Sequence, residues 1–456
     1  MIETIHFYHT NDLHSHFHHW PRIHDLVTTR KKWHLEEHES SFAFDIGDHI
    51  DRSHIFTEGT LGKGNVDLLN QAQYDIVTIG NNEGITLSFS ELENLYTDAR
   101  FEIVVGNLVT QDGKIPSWLT PTTILTTIHG TKIGVTALTA EFTQFYKQLG
   151  WKVTDAFDAL KQQLVEMKPH VDIIVCLSHL GIKADEAMAE QFPDIDVIFG
   201  AHTHHILHEG KLVNNSLLAA AGKYGHYVGH VTINFNLETK SIDKKQAILY
   251  DTNELKENPD EEMFLDKLVS VGRGNLLGTA FYQPEYLHKD WFNESELSHF
   301  FGEALTTFCL ADCGLFNAGI FLTDLKSGEV SHFDIHNMMP HPINPCVIEI
   351  SGALLKEIYL LSLNESWPTL EIKGLGFRGV VMGKMITHGF NVVNHVLFVQ
   401  NKRVEPTDII RLATLDMFTF GYFYPIFNEL PTTYFMPEFV RDVLIGYGQK
   451  RQQLME

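Results

Sequence analysis

The sequence predicts an α/β fold in two domains, on three observations. Short apolar runs rich in Val, Ile or Phe alternate with amphipathic stretches over the first 250 residues, the pattern of strands interleaved with helices. At 456 residues the chain exceeds what one ordinary core encloses. A polar, charged stretch, DTNELKENPDEEMFLDKLVSVGRG, then separates this region from a second segment with many aromatics. The expected boundaries are 1–250 for the first domain, 251–278 for a helical linker and 279–456 for the second domain.

In chain order, IHFYHT, SFAFDIG, YDIVTIG, VDIIVCLS and DIDVIFG are short and apolar enough to be buried strands. Between them, Phe157, Leu160, Leu164 and Met167 recur at helical spacing in WKVTDAFDALKQQLVEMKPHVD. Beyond the linker, NESELSHFFGEALTTFCLAD and ISGALLKEIYLLSLNES read as helices, and NVVNHVLFVQ and DIIRLATLDMF as strands. Cys176, Cys309, Cys313 and Cys346 lie in apolar surroundings and are expected to be buried thiols. Cys309 and Cys313 fall on one face if FGEALTTFCLADC is helical.

Composition removes several function classes. The formal charge of −24 opposes binding to a nucleic-acid polymer or an anionic membrane, because both depend on basic surface. No run approaches the eighteen or so apolar residues of a membrane-spanning helix. Met1 leads directly into the strand-like IETIHFYH, with no basic stretch, long apolar region or small-residue cleavage site, so a cytoplasmic location is expected. Nothing points to an obligate protein partner. The 27 histidines are many, and most must lie away from any metal if only a few are ligands.

Seven residues carry the chemistry: Asp12 and His14 in HTNDLHSHF, Asp48 in FDIGDHID, Asn81 in VTIGNNEG, His179 in IVCLSHLG, and His202 and His204 in VIFGAHTHH. Each follows a strand-like run. Loops leaving the carboxyl ends of neighbouring strands converge on one crevice, so residues distant in sequence can surround a common site. Asp-x-His offers a hard oxygen and an imidazole from one loop, Asp48 has two oxygens with which to bridge two cations, Asn81 adds an amide oxygen, and the remaining histidines add nitrogen. Such a mixed set suits Mn²⁺, Zn²⁺, Fe or Co²⁺ better than Ca²⁺ or Mg²⁺. Two divalent ions roughly 3.5 to 4 Å apart orient an in-line displacement at phosphorus, so hydrolysis of a phosphate ester is the expected reaction.

The order and content of these motifs resemble the calcineurin-like metallophosphoesterases, and the two-domain plan resembles the 5′-nucleotidase family, with its UDP-sugar hydrolases and 2′,3′-cyclic phosphodiesterases. The second segment adds FNAGIF, PHPIN, ISGALL, KGLGFRG and RLATLDMFTFGYFYP. The resemblance implies a layered β-sandwich flanked by helices, followed by an α/β substrate-binding domain of the 5′-nucleotidase C-terminal type. It also implies that Asp12, His14, Asp48 and His204 hold one metal, and Asp48, Asn81, His179 and His202 the other. The second domain would supply substrate contacts, and the linker would permit rotation.

The chain departs from the family at several motifs. Where the family reads Gly-Asn-His-Glu with an Asp two residues on, this sequence has Gly80, Asn81, Asn82, Glu83, Gly84 and Ile85. Asn82 thus stands at the position of the catalytic His and is the candidate to steady charge on the phosphoryl group, but an amide cannot be a general acid. His16, His49 and His205 are candidate replacements for the missing proton donor. In the second domain Phe321 ends FNAGIF where the family has an Arg, His341 lies where relatives have a base-stacking Phe, and Tyr422 stands near the position of a ribose-binding Asp. His341, Arg378, Phe420 and Tyr422 are the candidate substrate contacts, and Phe377, Phe418, Phe423 and Tyr424 are either stacking surfaces or core.

The expectation is a dinuclear-metal hydrolase of a small-molecule phosphate ester, nucleotide-like, with a bias toward good leaving groups such as a diphosphate or activated diester. The alternative is a metal-binding regulatory or ligand-binding protein with weak catalysis, because of Asn82. A phosphatase of folded proteins ranks third, since a second domain over the cleft leaves little room.

Overall fold

Alternation along the strand Ile2–Thr10 sets the first layer. Ile5 and Phe7 enter the core between two sheets, whereas His6 and Tyr8 face the helix Trp20–Glu36 on the other side, where Tyr8 meets His34. The computed structural model describes residues 1–455. In it this strand lies inside a six-stranded sheet ordered Ser241–Asp251, Tyr227–Asn236, Ile2–Thr10, Ser40–Asp45, Ile76–Val77, Glu102–Ile103. A second six-stranded sheet runs Lys211–Val213, Ser216–Ala219, Val197–Gly200, Ile173–Ser178, Lys132–Leu138, Thr122–Thr126. Phe44, Ile76, Val135, Val175, Val197, Phe199 and Val231 pack between the sheets. Leu160, Leu164 and Met167 from the helix Ala156–Met167, with Met188 from Ile182–Gln191, cover the far face of the second sheet. The layered β-sandwich flanked by helices is therefore present.

The chain divides into two compact units, Met1–Gly272 and Arg273–Glu456, with the division inside the helix Glu261–Asn275. The second unit has a five-stranded sheet ordered Met385–His388, Cys313–Asn317, Ile409–Leu415, Pro345–Ser351, Thr432–Tyr434. Its core includes Phe301 and Leu305 of the helix Glu296–Cys309 and Leu355 and Ile358 of Gly352–Ser362.

Three local expectations change. The helix carrying Cys309 stops there, because Leu310 adopts a left-handed conformation (φ 51°) and caps it, and Cys313 opens a strand. The two thiols do not share a helix face; all four cysteines are free and buried. NVVNHVLFVQ is a hairpin of Phe390–Val393 and Val396–Val399, since Asn394 and His395 both take positive φ (47° and 63°) and form a two-residue turn. YDIVTIG contributes only Ile76–Val77 to the sheet, with two paired residues on each side.

Candidate metal centre

Backbone bonds tie together the first two loops that carry expected ligands. Past Ile2–Thr10, Asp12 N donates to Gly47 O (3.0 Å) and His14 N to Asp48 O (2.8 Å), so the first two loops zip together. His202 N donates to Asp12 Oδ2 (3.0 Å), and Asn11 Nδ2 to the same oxygen (2.8 Å). Five of the seven expected ligands, Asp12, His14, Asp48, His202 and His204, have φ between 48° and 70°. Non-glycine residues rarely occupy this region, and when they do they gather at functional sites.

The seven residues come together. Asp12, His14 and His204 form one group of donors and Asp48, His179 and His202 a second, the donor atoms within each lying within 4.8 Å of one another. Asp48 joins them: its Oδ2 is 3.4 Å from His179 Nε2 and 3.8 Å from His14 Nε2. His14 Nε2 and His204 Nε2 are 3.3 Å apart. Asn81 opens the helix Asn81–Thr86 beside them, where Asn82 N donates to Asp48 Oδ1 (2.6 Å).

Two orphaned atoms mark where a cation fits. His179 Nδ1 donates to Ile46 O (2.7 Å), which fixes the tautomer and turns Nε2 toward Asp48, and that Nε2 is buried with no hydrogen-bond partner. Asn81 Oδ1 is likewise buried and unpartnered. Buried polar atoms without partners are rare and costly, and both are donors of the expected set. Electrostatics agree. Burial acts to raise the Asp12 and Asp48 carboxyls, and the imidazoles of His204, His179 and His14 outweigh it, so both stay below the usual carboxylate range. Burial opposes protonation of His179, yet Asp48 and then Asp12 push it up to about 10; a divalent cation would meet the same carboxylates in place of that proton.

Gly80 makes room for this packing, since a methyl there would overlap the Asp48 carboxylate and the His179 ring. Glu83, which the sequence marked only as a motif member, is the brace. Its carboxylate accepts from Asp48 N (2.9 Å), Ile50 N (3.0 Å) and Gly80 N (2.8 Å).

Several expected roles look different in place. Asn82 turns inward: its Nδ2 donates to Ile50 O (2.9 Å) and lies 3.0 Å from His14 Nδ1, and its Oδ1 accepts from Asn81 Nδ2 (3.2 Å). Both amide hydrogens are engaged, so the expected contact to a phosphoryl oxygen is not what the geometry shows. His49 is buried against Trp20 and Asn65, and burial lowers it to about 3, which removes it as a proton donor. His16 is exposed and stacked on Tyr224 (3.7 Å), whose ring lies 5.9 Å from that of His14. His205 is exposed and bonded to Thr203.

In the second unit His341 is fully buried. Its Nε2 donates to Ile320 O (2.9 Å), its Nδ1 accepts from Arg378 N (2.9 Å), and its ring stacks on Phe377. No ring nitrogen remains for a substrate, so the sequence-based role is corrected to a structural one. Phe321, Phe377, Phe418, Phe423 and Tyr424 are core. Phe420 and Tyr422 are 42% and 76% exposed, and Arg378 is half-buried with its guanidinium on Phe377 O (3.0 Å).

Fold and centre together define the class: the chain belongs to the calcineurin-like metallophosphoesterases of the 5′-nucleotidase type, hydrolases of phosphoester bonds that work with two divalent cations. The calcineurin-like phosphoesterase family matches residues 5–205 and the 5′-nucleotidase C-terminal domain residues 276–375. Among individual proteins, the chain is 42% identical to an uncharacterized metallophosphoesterase of Bacillus subtilis, YunD, over 97% of this chain and 99% of that one. Its fold is similar to that of Haemophilus influenzae NAD nucleotidase (TM-score 0.65, 15% identity, 99% and 97% of the two chains). It is also similar to a 5′-nucleotidase precursor of Thermus thermophilus (TM-score 0.58, 16% identity, 98% and 97%). Among the described residues no helix is long and apolar enough to cross a membrane.

Proposed function

We propose that this chain hydrolyses phosphate esters of small, nucleotide-like molecules at a centre of two Mn, Zn, Fe or Co ions. The observation that carries the reading is the pair of donor groups meeting at Asp48, with His179 Nε2 buried and unpartnered in one of them and Asn81 Oδ1 likewise unpartnered on the helix that follows. Asp12, His14, Asp48 and His204 would hold one ion, and Asp48, Asn81, His179 and His202 the other. Such ions, when bound, polarise a phosphoryl group and make water nucleophilic near neutral pH. The protein's own part is placement. Ile46 O fixes the His179 tautomer, Glu83 ties the Asp48 loop to Gly80, and five of the expected ligands stand on left-handed loop backbone. The nucleotide-like substrate rests on the names of the two structural neighbours.

Asn82 acts here as a positioning residue for His14 rather than as an acid, and no titratable side chain occupies its position. That favours substrates whose leaving oxygen needs no proton, a diphosphate or activated diester. Asn82→Ala is expected to lower kcat about 10- to 100-fold, as loss of an outer partner of a metal ligand does, together with metal content. Asn82→His is expected to lose activity too, because the larger ring displaces the Ile50 and His14 contacts; a tenfold gain on nitrophenyl phosphate would show instead that the missing acid limits the enzyme.

The direct test is turnover by Mn²⁺-loaded protein of nitrophenyl phosphate, bis-nitrophenyl phosphate, AMP, a 2′,3′-cyclic nucleotide and a UDP-sugar, with and without EDTA. The expected result is EDTA-sensitive hydrolysis, fastest for the diester or the UDP-sugar. Metal-replete protein that leaves the whole panel intact would favour the second reading, a metal-binding regulatory or ligand-binding protein, which the loss of a titratable group at Asn82 supports.

A further inference from the structure

Away from this centre, three histidines and a glutamate from four different elements meet under the helix Trp20–Glu36. His6 comes from Ile2–Thr10, His34 from the helix, Glu39 from the connection to Ser40–Asp45, and His230 from Tyr227–Asn236. Pairing of Tyr8 with His230 and of His6 with Thr232 sets His6 and His230 diagonally on one sheet face. His6 and His34 are buried and His230 is half-buried. Asp12 lies six positions after His6, so at ~3.3 Å per residue the cluster lies roughly 15 to 20 Å from the catalytic loops.

We propose that His6, His34, His230 and Glu39 bind one further transition-metal ion, Zn²⁺ by donor type, which clamps the first helix to the sheet. One ring nitrogen from each histidine lies within 4.8 Å of the others. Glu39 Oε2 is 3.0 Å from His6 Nε2 and 2.9 Å from His34 Nδ1, and His6 Nδ1 is 3.0 Å from His230 Nε2. Donors sharing a tetrahedral zinc at ~2.0 to 2.1 Å stand about 3.3 Å apart, within a few tenths of the two Glu39 separations; His230 Nε2 faces the other His6 nitrogen, Nδ1, and would turn from it toward the ion on binding. The outer nitrogens already have partners of the kind that orient liganded imidazoles. His34 Nε2 is 2.9 Å from the Tyr8 hydroxyl, and His230 Nδ1 is 3.4 Å from that of Tyr250.

Glu39 also lines a surface groove of about 630 Å³ together with Thr28, Lys31, Ser40 and Phe42, which gives an ion a route in.

The same groups also close a metal-free hydrogen-bond chain from Tyr8 and His34 through Glu39 and His6 to His230, and the test separates the two. In the full chain, Asp48→Asn with His204→Ala disables the catalytic centre. That variant is expected to keep one equivalent of Zn²⁺ by elemental analysis, and Co²⁺ in its place is expected to show the intense visible bands of a tetrahedral site. Adding Glu39→Gln or His230→Gln, both less buried than His34 and mild in shape, is expected to remove that equivalent and the bands, and to lower the melting temperature of the Zn²⁺-loaded protein only. Glu39→Gln alone leaves phosphoesterase activity within about twofold. A folded catalytic-centre variant that takes up no Zn²⁺, or one that keeps its equivalent through both added substitutions, would overturn the proposal.

Discussion

Asp48→Asn is expected to abolish turnover, with kcat/KM falling by more than about 10³-fold, beyond the ~10- to 100-fold that loss of an outer metal partner costs. The reason lies in the position of one atom. Asp48 Oδ2 reaches both His179 Nε2 and His14 Nε2, one from each donor group, while Oδ1 is held by Asn82 N. The substitution keeps shape and size, so neighbouring side chains stay in place. What changes is charge and lone pairs: an amide nitrogen has no lone pair to give a cation, and a neutral side chain no longer offsets the surrounding positive groups. Burial of Asp48 at 2% exposure excludes water as a substitute. The expected readouts are loss of EDTA-sensitive activity and fewer than two Mn²⁺ per chain, with a melting temperature close to that of the metal-free parent. Full activity and full metal content in the Asp48→Asn variant would end the two-metal mechanism.

The centre was partly legible in the sequence and partly not. The seven expected ligands stand out because each follows an apolar run, so the strand that buries its residues also delivers the next side chain to the crevice; IVCLS before His179 and VIFGA before His202 are the clearest cases. Orientation is another matter. Asn82 turns inward because the helix Asn81–Thr86 starts one residue earlier and aims its amide at Ile50 O, a fact of backbone direction that no residue type encodes. His341 is buried for a similar reason, since the chain brings Ile320 O and Arg378 N to its two nitrogens from distant segments. The cluster of His6, His34 and His230 was hidden by its own surroundings: IHFYHT reads as an apolar run, although its alternation places Ile5 and Phe7 inside the sandwich and His6 and Tyr8 beneath the helix. The NVVNHVLFVQ hairpin was missed because Asn-His is a weaker turn signal than Asn-Gly, although both residues take the left-handed conformation.

Glu83→Ala is expected to be the most destabilising single change at the centre, by about 3 kcal/mol or more. Glu83 accepts three backbone N–H groups, two from the Asp48 loop and one from Gly80 at the start of its own helix. Each buried donor left without an acceptor costs about 1 to 3 kcal/mol, and a methyl leaves all three facing a space too enclosed for ready hydration, given the 2% exposure of Glu83. The loss is also functional, because these bonds set the backbone from which Asp48 and Asn81 project. Metal affinity should therefore fall about 10- to 100-fold, the usual effect of removing an outer support, even at temperatures where the variant stays folded. Glu83→Gln separates the two contributions. It retains one oxygen acceptor and fills the same volume but turns an NH₂ toward one of the donors, so its destabilisation should be about half that of the alanine variant, with metal affinity again reduced. Denaturant unfolding of metal-free protein measures the first effect and Mn²⁺ titration the second. If Glu83→Ala unfolds at the parent's denaturant midpoint, the carboxylate is not what ties the two loops together, and the brace must be sought in the direct loop-to-loop bonds from Asp12 N to Gly47 O and from His14 N to Asp48 O.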